Sequence, residues 1–273
     1  MQKQKMRRRR QLSLFVSLAL VHGLFSAGKA AAQAKEWRLV WQDEFSTNGK
    51  PDSNKWGFSG RKKAQWACYC YDDTTTVVVH DGRLLVKGIA AKPGTDTGRY
   101  QTGCIQSKDR FSFLYGKLEV KAKLPQGGGS WPAIWLMPEK SVYGGWPHSG
   151  EIDVMEHLNF DTIFYQTLHS HYIDNLKQRE NPRYFATATF KVGEFNVFGM
   201  EWYPERIDFF VNGQKTFTYP KLESDTTCTQ WPFNQPFYII LNQALGGNWP
   251  GPVNDAHLPQ QMEVDYVRVY QLK

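Results

Sequence analysis

The chain has 273 residues, 41% of them hydrophobic and 22% charged, with a formal net charge of +7. Seven cations (Lys3, Lys5, Arg7, Arg8, Arg9, Arg10 and Lys29) and no acids lie before residue 33, so +7 less 7 leaves residues 33–273 formally neutral. A neutral body removes the main support for nucleic-acid binding, which requires a basic surface, and no nucleic-acid partner is expected.

The first 32 residues read as a secretory signal peptide. A basic start is followed by the mostly apolar run from Leu12 to Phe25 and by Ala30-Ala31-Ala32, small residues suited to cleavage. That run is too short for a membrane span and is broken by His22 and Gly23. Export to the periplasm or the medium is the expectation, with no membrane span. No linker, charge run or internal repeat divides residues 33–273, which read as one domain, expected to be monomeric.

Arg38 to Phe45 is expected to be the first strand. Val77 to His80, Asp81-Gly82 and Arg83 to Ile89 form a hairpin pattern, as do Arg206 to Val211, Asn212-Gly213 and Gln214 to Tyr219. Between them, Lys117 to Leu124 alternates charged with apolar residues, the mark of a sheet with one wet face. Phe237 to Leu241 and Met262 to Tyr270 complete the set. Helical periodicity is scarce, and many short strands argue for an all-β sandwich or barrel. The cysteines Cys68, Cys70, Cys104 and Cys228 permit two disulfides in three connectivities. Spacing favours structural thiols, or one bridge to Cys104, over a zinc site.

The stretch Gly150-Glu151-Ile152-Asp153-Val154-Met155-Glu156-His157 carries the chemistry. On a regular strand Glu151 and Asp153 share a face and Glu156 takes the other. A one-residue bulge near Val154–Met155 brings Glu156 round, so that all three carboxylates share one face. Two carboxylates held close together are what retaining glycoside hydrolysis needs. Upstream, Gly127 to Pro138 and Gly144-Gly145-Trp146-Pro147 supply Trp131, Trp135 and Trp146. Flat indoles suit the apolar faces of sugar rings; Trp131 and Trp146 lie in loop-like sequence, and Trp135 is the one most expected to be core.

These motifs resemble glycoside hydrolase family 16, whose signature E-[I/L]-D-x-x-E follows a G-x-W-P-A-x-W segment. The likeness runs from Trp41-Gln42-Asp43-Glu44-Phe45 to Asp265-Tyr266-Val267-Arg268-Val269-Tyr270. It implies a β-jelly-roll sandwich of two curved antiparallel sheets with a substrate groove on the concave face. It casts Glu151 as nucleophile, Glu156 as acid/base and Asp153 as their helper. His169, in Gln166-Thr167-Leu168-His169, is expected to orient Glu156 or touch the sugar, and Asn248 and Trp249 to lie near the cleft; His157 is expected to point away. The resemblance needs no cofactor for catalysis, but implies a structural calcium held by Glu44, Asp265 and a carbonyl near Gly82. The partner is an oligosaccharide or polysaccharide. Gln65 to Tyr71 lacks the N-x-E-x-Q contacts of β-glucanases in the family. Phe111 to Gly116, with Trp146 to Gly150, looks more like the endo-β-galactosidase branch, which acts on galactose/N-acetylglucosamine chains including mucin-type O-glycans. An endo-β-1,3(4)-glucanase is the alternative, and a lectin-like binding module the non-enzymatic one.

Overall fold

The expected alternations become strands. The computed structural model describes residues 36–273, and the predicted leader lies outside them. In chain order the strands are β1 (Trp37–Asp43), β2 (Gly57–Phe58), β3 (Val77–His80), β4 (Arg83–Ala90), β5 (Tyr100–Thr102), β6 (Cys104–Gln106), β7 (Gly116–Lys123) and β8 (Ser130–Pro138). There follow β9 (Glu151–Glu156), β10 (Ile163–His169), β11 (Phe185–Thr189), β12 (Asn196–Trp202), β13 (Arg206–Val211), β14 (Gln214–Pro220), β15 (Phe237–Leu245) and β16 (Gln260–Leu272).

Two sheets form. The larger runs β14-β13-β12-β7-β16-β4-β3, with β1 also on β16 and β5 on β4; the smaller runs β11-β10-β9-β8-β15-β6-β2. All strand pairs are antiparallel, from β1 with β16 to β8 with β9. Between the sheets lies one apolar core that includes Val120, Ile152, Val154, Met155, Phe164, Trp202 and Val267. This is the expected jelly-roll sandwich.

The outer face of the larger sheet is wet. Leu118, Val120 and Ala122 of β7 turn inward, while Lys117, Glu119, Lys121 and Lys123 turn outward and find partners. Lys117 pairs with Glu119 at 2.6 Å, Lys121 with Asp265 at 2.6 Å and Lys123 with Glu263 at 2.6 Å. Both predicted hairpins turn on residues with positive φ, Asp81 at 49° with Gly82 at 72°, and Asn212 at 51° with Gly213 at 78°. That is the backbone such two-residue turns require.

The smaller sheet differs. All nine residues of β15 are buried, because a second apolar cluster (Ala67, Cys70, Cys104, Ala133, Trp135, Tyr238 and Ile240) covers part of its outer face. A strand covered on both faces loses its alternation, which is why β15 runs four residues beyond the predicted Leu241. Trp131 is not in a loop, as its Gly and Pro neighbours suggested, but in β8. Pro132 is tolerated there because β9 ends at Glu156, opposite Ala133, and the bond beyond it, from His157 N–H to the Pro132 carbonyl at 3.1 Å, needs no N–H from Pro132.

The four cysteines are free thiols. Cys70 and Cys104 lie buried side by side, within hydrogen-bonding reach of each other. The carboxylates expected to hold calcium are both engaged with cations. Arg268 donates to both Glu44 oxygens at 2.8 Å, and Lys121 takes Asp265. An ion there would have to displace both partners.

Candidate active site

Backbone register decides where the acids point. Along β8, Ile134 faces Met155 but the next residue, Trp135, faces Asp153, leaving Val154 as the extra residue of a bulge. The same shift appears against β10, where Tyr165 faces Glu156 and Thr167 faces Asp153. Val154 and Met155 therefore both turn into the core, fully buried, and Glu156 rejoins Glu151 and Asp153 on the outer face. This is the bulge anticipated from the spacing of the acids. Gly150 permits the entry to β9: its φ is +84°, and a Cβ there would meet Phe233 and Pro232 at 2.9 Å.

The three acids line one small pocket with Trp66, Trp131, Ala133, Trp135 and Asn242. The Trp146 indole N–H donates to Glu151 Oε2 at 2.6 Å, and that of Trp131 to Glu156 Oε1 at 3.0 Å. Each outer carboxylate is thus held by its own indole. Trp135 is buried as expected, its N–H on Asn242 Oδ1 at 2.7 Å, yet one of its surfaces lines the pocket. Trp249 is 43% exposed and stands edge-on to Trp131 and Tyr165. Asn248 is exposed, and its backbone N–H donates to Gln65 Oε1 at 3.1 Å. The Gly246–Pro250 loop is thereby tied to the Gln65–Tyr71 segment. His157 points away, buried, its Nε2 on the Asp161 carbonyl.

His169 meets Asp153 rather than Glu156. Its Nε2 lies 3.3 Å from Asp153 Oδ2 and its Nδ1 3.1 Å from Asp174 Oδ2. Asp174 comes from a π-turn over His171–Asn175, directly after β10. A carboxylate–imidazole–carboxylate chain therefore runs from a loop into the pocket. Asp174 was not legible as a site residue, nor was Trp66; only the departure of Gln65–Tyr71 from the glucanase pattern pointed toward Trp66. Donor atoms of Glu151, Asp153 and His169 lie within 4.8 Å of one another, a trio knit by ion pairing and hydrogen bonding.

Crowding shifts the titrations. Burial and the neighbouring Asp153 push the Glu151 carboxyl up to about 8. Burial pushes Glu156 up to about 7, against the Trp131 N–H, which favours its charge. Burial and the Glu156 charge push Asp153 up to about 6. The contact between the two carboxyls raises Glu151 and lowers Asp153. Burial alone would lower His169, but its contacts with Asp153 and Asp174 outweigh that and hold it well above the usual imidazole range. The cluster is one cation set among carboxylates that cannot all ionise together.

With this geometry, similarity to known proteins becomes informative. The sequence pattern described as Glycosyl hydrolases family 16 matches residues 66–268. A keratan-sulfate endo-1,4-beta-galactosidase from Sphingobacterium multivorum is 41% identical over 245 residues, covering 87% of this chain and 56% of that protein. A beta-glucanase from Rhodothermus marinus is 33% identical, covering 97% of this chain and 96% of that one. The chain thus spans little more than half of the first relative and nearly all of the second. The crystallographic laminarinase from Rhodothermus marinus superposes with a TM-score of 0.79 at 31% identity, covering 88% of this chain and 100% of that chain.

Proposed function

The chain belongs to glycosyl hydrolase family 16, and from that premise we propose that it is an endo-acting, retaining glycoside hydrolase of galactose/N-acetylglucosamine chains. The observation that carries the reading is the bulge in β9, which turns Glu151, Asp153 and Glu156 into one pocket.

In this reading Glu151 attacks the anomeric carbon while Glu156 protonates the departing glycosidic oxygen. Glu151 must be ionised to do so. The Trp146 N–H and the His169 cation both favour its charge. Glu156, raised to about 7, keeps its proton in mildly acidic solution and so can act as the acid. Once it has lost that proton it takes one from water, and the hydroxide equivalent releases the sugar from Glu151. Trp131 holds the Glu156 carboxylate, and Trp146 and Trp249 offer exposed indole faces to sugar rings.

Two observations support a galactose-containing substrate, mucin-type O-glycans included. The 41% identical relative is named for a galactosidase activity. The Gln65–Tyr71 segment, which lacks the polar pattern of β-glucanases, sets Trp66 edge-on against Trp135 at 4.8 Å in the pocket wall. The leader read in residues 1–32 supports export, and no helix among the described residues is long and apolar enough to cross a membrane. The test is mass spectrometry of products from polylactosamine or mucin O-glycans and, in parallel, from laminarin. Oligosaccharides from the galactose-containing substrate alone are expected. Products from laminarin alone would replace this reading with the glucanase one, and binding without products would point to a lectin-like module.

A further inference from the structure

Beside the proposed cleavage pocket lies a larger cavity of about 550 Å³ that the reaction does not use. Three consecutive cations, Arg61, Lys62 and Lys63, line it, faced by a single carboxylate, Asp96. Arg61 is committed to Asp96, through the backbone carbonyl and, at 3.5 Å, through the carboxylate. Among the described residues no carboxylate pairs with Lys62 or Lys63, and both are exposed. In a body that is formally neutral, this is a local surplus of two positive charges. Like charges held together repel, and an anion settling between them relieves that repulsion.

The cavity is joined to the cleavage pocket through one side chain. Lys62 Nζ stands 5.1 Å from the centre of the Trp66 ring, and Trp66 meets Trp135 edge-on in the wall of the carboxylate pocket. The segment is braced from within: Lys62 N–H donates to the Ala67 carbonyl at 3.1 Å, and Gln65 Oε1 accepts from Asn248 N–H. In the smaller sheet β8 and β15 lie between β9, which carries the acids, and β6, whose neighbour β2 leads into the Arg61–Lys63 segment.

We propose that Lys62 and Lys63, with Arg61 as a brace, form a subsite for an anionic substituent, a sulfate ester or a sugar carboxylate, on a sugar bound next to the cleaved unit. The galactoside reading supplies only the backbone that carries the anion; the site itself rests on the cavity and its charge. Ammonium groups suit such a substituent as point charges, with no demand for bidentate geometry.

The experiment is calorimetric binding to the full chain carrying Glu156→Gln, which is expected to bind substrate without turning it over. The ligands are a lactosamine-repeat hexasaccharide in plain, 6-O-sulfated and sialylated forms, and laminarihexaose in plain and sulfated forms. A charged lactosamine ligand should bind about tenfold tighter than the plain one at low salt, the gain that one partly exposed charge-assisted hydrogen bond supplies. The gain should shrink as salt is raised and be cut severalfold by Lys62→Gln or Lys63→Gln. Gain on the sulfated ligand alone identifies a sulfate site, and gain on the sialylated one alone a carboxylate site. Equal binding of plain and charged forms would overturn the subsite while leaving the galactoside reading intact. If only the laminarihexaose series binds, the galactoside reading falls; the subsite then stands or falls on whether sulfation tightens that series and the Lys variants remove the gain.

Discussion

The two outer faces of this sandwich treat acidic side chains in opposite ways. On the larger sheet Glu119, Glu263 and Asp265 each face a lysine across 2.6 Å, partly exposed, even though β16 slips by one residue at Asp265. On the smaller sheet Glu151, Asp153 and Glu156 crowd together on a bulged strand, with indole N–H groups and one shared imidazole in place of lysines. The first arrangement keeps charges solvated and compensated. The second withholds compensation, so protons stay on the carboxyls to higher pH, as general acid catalysis needs.

The contrast can be broken most sharply by neutralising acids on each face. Glu151→Gln and Glu156→Gln should each lower kcat by about 10³-fold or more with the fold retained, since each removes one half of a two-carboxylate mechanism. Glu119→Gln and Glu263→Gln should alter kcat by less than about twofold, because surface ion pairs contribute little. Steady-state rates and melting profiles of the four variants decide this.

A smaller effect is expected at the link between loop and site. Asp174→Asn removes one of the carboxylates that keep His169 charged, so the imidazole should titrate lower. With less positive charge nearby, the Glu151–Asp153 pair holds its proton more tightly. The acid limb of the kcat profile should move to higher pH, with kcat reduced about tenfold at pH 6 and KM changed far less. An unchanged profile would reduce Asp174 to a loop residue.

Stability offers a third comparison. The folded-state values of Glu151, Glu156 and Asp153, about 8, 7 and 6, lie above those of the unfolded chain. The folded state therefore binds more protons than the unfolded one between about pH 4 and 8, and stability falls as pH rises through that window. Melting temperature should drop from pH 5 to pH 8, and Glu151→Gln should flatten the decline, gaining a few degrees over the parent at pH 8 but none at pH 4. Smallest of all, Lys117→Ala and Lys123→Ala should each cost roughly 0.5 kcal/mol or less in urea denaturation.

Residues close in the sequence accounted for most of what was legible. The alternation in Lys117–Leu124, the two Gly-containing hairpin turns and the acid spacing of β9 are local patterns, and each appears as a sandwich strand, a turn or a bulge. Even the bulge was readable, because only an extra residue lets Val154 and Met155 both reach the core while Glu156 faces out. β12 was harder to see. Gly199 interrupts its pattern, and the reason is tertiary: a Cβ there would lie 2.7 Å from the Leu118 carbonyl.

By itself, then, the sequence determined the all-β class and the shared face of Glu151, Asp153 and Glu156, since strand period and turn chemistry act over a few residues, while its motifs carried the resemblance to the family. Tertiary structure alone decided which partners those acids keep. Asp174 reaches His169 through a π-turn, Trp131 and Trp146 clasp opposite acids, and Lys62 is joined to the pocket through Trp66. Such contacts arise where loops from distant parts of the chain are pressed onto one sheet face, and no periodicity along the chain records them.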